Sequence, residues 1–71
     1  MLVFSPADGQ KRIEEYVDGL IPALLWRTCQ IRQGHFDVNL CDYRGIPGYD
    51  RVIAVEVMSH GHQVDRFNVQ F

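Results

Sequence analysis

Three segments in the second half of this 71-residue chain alternate apolar and polar residues with a period of two. They read HFDVNLCDY, RVIAVEVM and VDRFNVQF, at residues 35–43, 51–58 and 64–71. Because successive side chains of a strand point to opposite faces of a sheet, each segment predicts a β-strand with one buried face. The middle segment is apolar on nearly both faces, which is typical of a central strand. The second half therefore predicts a three-stranded antiparallel meander.

The last two of these strands are connected through the tripeptide HGH at residues 60–62. A two-residue loop at His60 and Gly61 with regular pairing would set Val55 opposite Arg66 and mix apolar with polar side chains. We therefore expect a longer loop and a register that differs by one residue. That register sets opposite one another Met58 and Val64, Glu56 and Arg66, Val55 and Phe67, and Ile53 and Val69.

The segment SPADGQKR at residues 5–12 carries the signals of a helix start. Ser5 can accept hydrogen bonds from the free amides of the first turn, Pro6 suits the first helical position, and the charge of Asp8 complements the helix dipole. An internal proline removes a helical hydrogen bond, so a kink or break is expected between Gly19 and Pro22. The apolar stripe of this helix, with spacings of three and four, comprises Ile13, Tyr16, Val17, Leu20, Leu24 and Leu25.

Two other segments leave alternatives open. Residues 22–33 favour a helix because helical spacing keeps their apolar side chains together, but their β-branched and aromatic content also suits a strand. The N-terminal LVF at residues 2–4 is short enough that a fourth strand is only an alternative.

The predicted fold class is α+β, with a single domain over residues 1–71. An N-terminal helix, kinked or straight, covers one face of the three-stranded meander. The helix stripe should lie on the apolar face of the strands, formed by Phe36, Val38, Leu40, Ile53, Val55, Val57, Phe67 and Val69.

Composition limits the partners and the cellular compartment that we expect for this protein. The formal net charge of −2 is too small for a general phosphate binder or a nucleic-acid mimic. Cys29 and Cys41 form no C-x-x-C motif, so we expect a reducing compartment and two unbridged thiols. The start, MLVFSPADG, resembles no secretory leader, and no stretch approaches the roughly 20 apolar residues that span a bilayer. The expected location is cytoplasmic, without a membrane partner.

The histidines raise metal-binding and catalytic interpretations. His35, His60 and His62 would lie at one end of the sheet, where imidazoles can coordinate zinc or nickel. Because His-x-His in a turn is not the spacing of a structural zinc site, no metal is expected, and the three residues are alternative ligands only. Ser59, His62 and Asp65 are the residue types of a hydrolytic triad, but a short hairpin supplies no oxyanion pocket. We therefore expect no enzyme activity and no cofactor.

Two surfaces predict protein binding. The loop DYRGIPGYD contains a type II turn and concentrates residue types that dominate interface energies. The sheet face opposite the helix should display apolar side chains, which soluble monomers rarely leave uncovered. The predicted binding residues are Tyr43, Arg44, Ile46 and Tyr49 in the loop, and Val52, Ala54, Met58 and Val64 on the sheet.

These features predict a small non-enzymatic domain that binds a protein, as an inhibitor, an adaptor or a self-associating module. The simplest partner is a second copy, because a flat sheet face can oppose itself across a two-fold axis. Phage and mobile-element products that block host enzymes are often of this size, which is an analogy of size alone. The alternative is a nucleic-acid-associated accessory factor, which is disfavoured because the candidate arginines are scattered along the chain. These are Arg27, Arg32, Arg44, Arg51 and Arg66.

Overall fold

The computed structural model describes residues 3–18, 29–43 and 51–71. The strands in these residues form a single sheet in the order β1-β5-β4-β3-β2. Neighbours from β2 to β5 are antiparallel, and β1 lies parallel to β5. The predicted α+β fold, with one N-terminal helix and an antiparallel meander, is confirmed, and the N-terminal strand is present. The elements are β1 Val3–Phe4, α1 Pro6–Glu14, β2 Cys29–Gln33, β3 Phe36–Tyr43, β4 Val52–Ser59 and β5 His62–Gln70.

Helix α1 begins where the sequence predicts. The Oγ atom of Ser5 accepts a hydrogen bond from the backbone N–H of Asp8 at 3.2 Å, and Pro6 is the first helical residue. The helix ends earlier than the apolar stripe suggested, at Glu14. Val17 lies beyond that end, yet its N–H donates to the Ile13 carbonyl at 3.1 Å and its side chain is buried. The predicted kink between residues 19 and 22, and the stripe residues from 20 to 25, lie outside the described residues.

Strand β2 corrects one sequence prediction. The helix favoured for residues 22–33 is wrong over Cys29–Gln33, where the chain is a strand, and residues 22–28 lie outside the described part. Ile31 pairs with Val38 of β3 and packs against the core. Gly34 has φ 59° in the turn between β2 and β3. Glycine suits this position because it adopts the left-handed conformation without a steric penalty.

The hairpin between β4 and β5 has the two-residue turn of one register considered from the sequence. Further from the turn, its strands pair in the other register. Its turn is His60 and Gly61 alone, with φ angles of 50° and 78°, as a type I′ turn requires. A β-bulge at Val64 then absorbs one residue, because the register shifts between Val57 and Met58. The expected pairing of Met58 with Val64 is therefore wrong, since Met58 pairs with Gln63. The pairs beyond the bulge are as predicted: Glu56 with Arg66, Val55 with Phe67, and Ile53 with Val69.

The core lies between α1 and one face of the sheet, as the apolar pattern predicts. Phe36 is half-buried and packs against it. Val38 pairs with Val57. A pairing with Val55, two residues away, would keep every side chain on the same face, so the hydrophobic pattern does not distinguish the two registers. The core cluster comprises Ile13, Val17, Val38, Leu40, Ile53, Val55, Val57, Phe67 and Val69.

Candidate functional site: the outer face of the sheet

We call the sheet face opposite α1 the outer face. In the described residues no helix lies against it, because α1 contacts β1 and β5 from the core side. The strand pairing arranges its side chains in rows that cross the sheet. One row contains Arg32, Asp37, Met58 and Gln63; the next contains Gln30, Asn39, Glu56 and Arg66; the third contains Cys41, Ala54, Asn68 and Val3.

The four sheet residues predicted to bind a partner differ in exposure. Val52 and Ala54 are 3% and 8% exposed, so they are buried rather than displayed. Met58 is half-buried, and Val64 is 50% exposed at the bulge. Cys41 pairs with Ala54 and is exposed with a free thiol, so it does lie beside the predicted patch. The apolar residues form no continuous surface, because the row that contains Glu56 separates Ala54 from Met58.

The centre of the outer face is therefore polar. Glu56 accepts a hydrogen bond from Gln63 at 2.7 Å, and the side-chain amide of Asn39 lies 3.5 Å from its other carboxylate oxygen. Arg66 stands directly opposite Glu56 on β5 and is exposed. Within residues 3–18, 29–43 and 51–71 the Arg66 guanidinium forms no ion pair. Asn39, Glu56 and Arg66 line a depression of about 180 Å³, together with Cys41 and Ala54.

The predicted binding loop lies largely outside the described residues. Arg44, Ile46 and Tyr49 fall in the segment 44–50, which the structure does not describe. Tyr43 is the last residue of β3, where its backbone pairs with Val52. Participation of these four residues in binding stays a prediction.

Two of the three histidines come together at one end of the sheet. The rings of His35 and His60 have centroids 5.0 Å apart and planes tilted by 36°. The pairing of Phe36 with Ser59 places the turn that carries His35 beside the turn that carries His60. His62 is exposed on β5 and does not join the pair as a third ligand, because the described residues contain no group of three or more His, Cys, Asp or Glu side chains suited to a metal.

Asp65 lies on the core side of the sheet, where it binds α1. Its Oδ2 atom accepts hydrogen bonds from Arg12 Nε at 2.7 Å and from the Tyr16 hydroxyl at 2.8 Å, while Oδ1 accepts from Arg12 Nη2 at 3.2 Å. With these partners Asp65 orients no histidine, so Ser59, His62 and Asp65 are not assembled as a triad. Sequence reasoning missed this network, although a carboxylate at a core-facing position of β5 was a signal that it needed a partner.

Two other described arginines, Arg32 and Arg51, are also close to carboxylates. Arg32 Nε lies 2.7 Å from Asp37 Oδ1, and Arg51 Nε lies 3.6 Å from Asp42 Oδ2. Arg27 and Arg44 lie outside the described residues. The candidate arginines therefore form no continuous basic surface in the described part of the chain.

Comparisons with models of protein families, with curated proteins and with solved structures give no match to this chain. In the described residues, no helix has the length and apolar character needed to cross a bilayer.

Proposed function

We propose that this protein is a small non-enzymatic binding domain that associates with a second copy of itself through the outer face. The observation that carries the proposal is the central row, in which Glu56 and Arg66 stand opposite one another with no ion pair between them. Across a two-fold axis, a residue that contacts its counterpart in one direction does so in the other. Arg66 of each copy can then meet Glu56 of the other, which makes the surface self-complementary in charge.

The surroundings of this row suit such a contact. Cys41 and Ala54 are small, so the depression beside Glu56 leaves space for a long side chain of the facing copy. Met58 and Val64 add partly exposed apolar surface next to the polar row. Apolar contact around a central charged pair excludes water and strengthens the electrostatic attraction between the two copies.

Nucleic-acid binding, the alternative, gains no specific support from the described residues. Arg12, Arg32 and Arg51 each lie within 4 Å of a carboxylate, which reduces the positive potential available to phosphates. Binding to a different protein, as an inhibitor or adaptor, would use the same outer face and becomes the favoured interpretation if the wild type proves to be a monomer.

Analytical ultracentrifugation with charge variants tests the proposal. The wild type should sediment as a dimer, whereas Glu56→Arg and Arg66→Glu should each weaken the dimer by about 100-fold or more, because like charges then face each other. The double variant Glu56→Arg with Arg66→Glu restores opposite charges and should recover the dimer. Glu14→Arg makes the same charge change on the exposed surface of α1 and should leave the dimer intact.

A wild type that remains a monomer at about 1 mM would overturn self-association, since even a weak dimer is populated at that concentration. A double variant that stays as weak as the single variants would overturn the role of the charge pair. Circular dichroism melting of every variant shows whether a lost dimer reflects a lost fold.

A further inference from the structure

The end of the sheet that carries the β2 to β3 and β4 to β5 turns brings two imidazoles close together. The backbone of Phe36 pairs with that of Ser59, so the two turns are neighbours. His35 follows Gly34 in the first turn, and His60 precedes Gly61 in the second. Both histidines are exposed, and their ring centroids are 5.0 Å apart. The register of the two hairpins, rather than burial of the rings, therefore brings the two imidazoles together.

This separation matches two imidazoles on one metal ion. A Zn²⁺ to nitrogen bond is about 2.0–2.1 Å, which places the centre of each ring roughly 3.2 Å from the ion. For ligands at angles between square and tetrahedral values, the two ring centres are then roughly 4.5–5.2 Å apart. The observed 5.0 Å between the ring centroids falls within that interval.

The backbone at His60 supplies an independent observation. Its φ of 50° is the only positive value among the non-glycine residues that the structure describes. The first position of a type I′ turn strongly prefers asparagine, aspartate or glycine, so histidine is not the residue that the turn geometry selects. Positive φ is uncommon for any non-glycine residue, even though histidine is among the types enriched there, and such positions cluster at functional sites.

We infer that His35 and His60 form a labile binding site for a divalent transition-metal ion that favours nitrogen ligands, such as Zn²⁺ or Ni²⁺. With two protein ligands among the described residues, water completes the coordination, so the ion exchanges readily instead of forming a closed structural centre. The bound ion links the two hairpin turns and stabilises that end of the sheet. The site is separate from the central row of the outer face, so it does not depend on the proposed self-association.

Titration calorimetry and thermal melting with Zn²⁺ and with Ni²⁺ test this site. The wild type should bind one ion per chain, and Tm should rise by roughly 10–20 °C at a metal concentration a hundred times Kd. His35→Gln and His60→Asn should each reduce affinity by about tenfold or more, since even changes around metal ligands have effects of that size. His60→Asn also gives the turn a preferred residue, so it should fold at least as well as the wild type without metal.

His62→Gln is the matched control, because it removes an exposed histidine from the same hairpin but outside the pair. It should leave affinity and stoichiometry unchanged, and Cys41→Ser should do the same, which excludes binding by the free thiol. Saturable binding that survives both His35→Gln and His60→Asn would overturn the inference, as would its absence in the wild type at about 1 mM metal. Arg66→Glu, which is expected to weaken the proposed dimer, should still bind the metal. This result would show that the metal site does not depend on self-association.

Discussion

An acidic residue and an arginine are paired on the core side of the sheet, whereas an acidic residue and an arginine on the outer face are not. On the core side, Asp65 receives two hydrogen bonds from Arg12 and one from Tyr16, and its side chain is 9% exposed. On the outer face, Glu56 accepts from neutral amides, while Arg66 extends into solvent. Residue types alone do not distinguish the two pairs. What differs is that α1 brings Arg12 and Tyr16 against the first acid, and no described element covers the second.

An acid and an arginine contribute to folding on the core side, whereas on the outer face the proposed dimer would use them for binding. Hydrogen bonds from Arg12 above all, and from Tyr16, hold the pKa of the Asp65 carboxyl below its usual value, although desolvation opposes them. Burial, together with the bond to Asp65, raises the pKa of the Tyr16 hydroxyl. Asp65 on the core side therefore links α1 to β5. On the outer face the corresponding charges are available to another molecule.

The largest expected difference in stability is between substitutions at the neighbours Phe67 and Arg66, which point to opposite faces of β5. Phe67 is 2% exposed, so Phe67→Ala should lower the free energy of unfolding by about 3–5 kcal/mol through lost burial and a cavity. Arg66→Ala should change it by no more than about 0.5 kcal/mol, as expected at an exposed position. Urea unfolding at a protein concentration low enough to keep the chain monomeric measures both values, so that lost association does not contribute. Equal costs would show that the outer face is also part of a packed core.

A smaller difference in stability is expected between substitutions of the two acids, Asp65 and Glu56. Asp65→Ala removes the shared acceptor of Arg12 and Tyr16 and should destabilise the chain by about 1–3 kcal/mol, since part-buried donors lose their partner. Glu56→Ala should cost about 0.5 kcal/mol or less, because its partners can turn to water. Tyr16→Phe serves as the control for one bond of the network and should cost about 1 kcal/mol. A larger loss for Glu56→Ala than for Asp65→Ala would reverse the assignment of the two faces.

The smallest effect concerns acid pH. The folded-state pKa of Asp65 is lowered, so its ionised form contributes stability above the ordinary carboxyl pKa, and that contribution is lost as pH falls through the folded value. Stability of the wild type should therefore decline as the pH falls below about 4. Asp65→Asn should be less stable at neutral pH but decline less steeply, as judged by melting temperatures across that range. Parallel curves for the two proteins would mean that other carboxylates dominate the acid transition.

Much of the fold is readable from local patterns, because each such feature depends on few residues. Period-two alternation identifies β3, β4 and β5 and their buried faces, and the cap at Ser5 identifies the start of α1. The requirement that Val55 and Phe67 share a face predicts most of the β4 to β5 register. The candidate sites were harder to predict from the sequence, since the burial of Val52 and Ala54 depends on which side chains lie beside them.

What the sequence alone determined, then, is which residues alternate, which of them must be buried, and where the first helix begins. Tertiary structure decided that Cys29–Gln33 is a strand, because a segment with mixed propensities takes the conformation that a neighbouring strand can pair with. It also decided the bulge at Val64, which reconciles a two-residue turn with correctly buried faces. Finally, it brought His35 beside His60, because registers that differ by two residues bury the same side chains, and only the packing of the whole sheet distinguishes them.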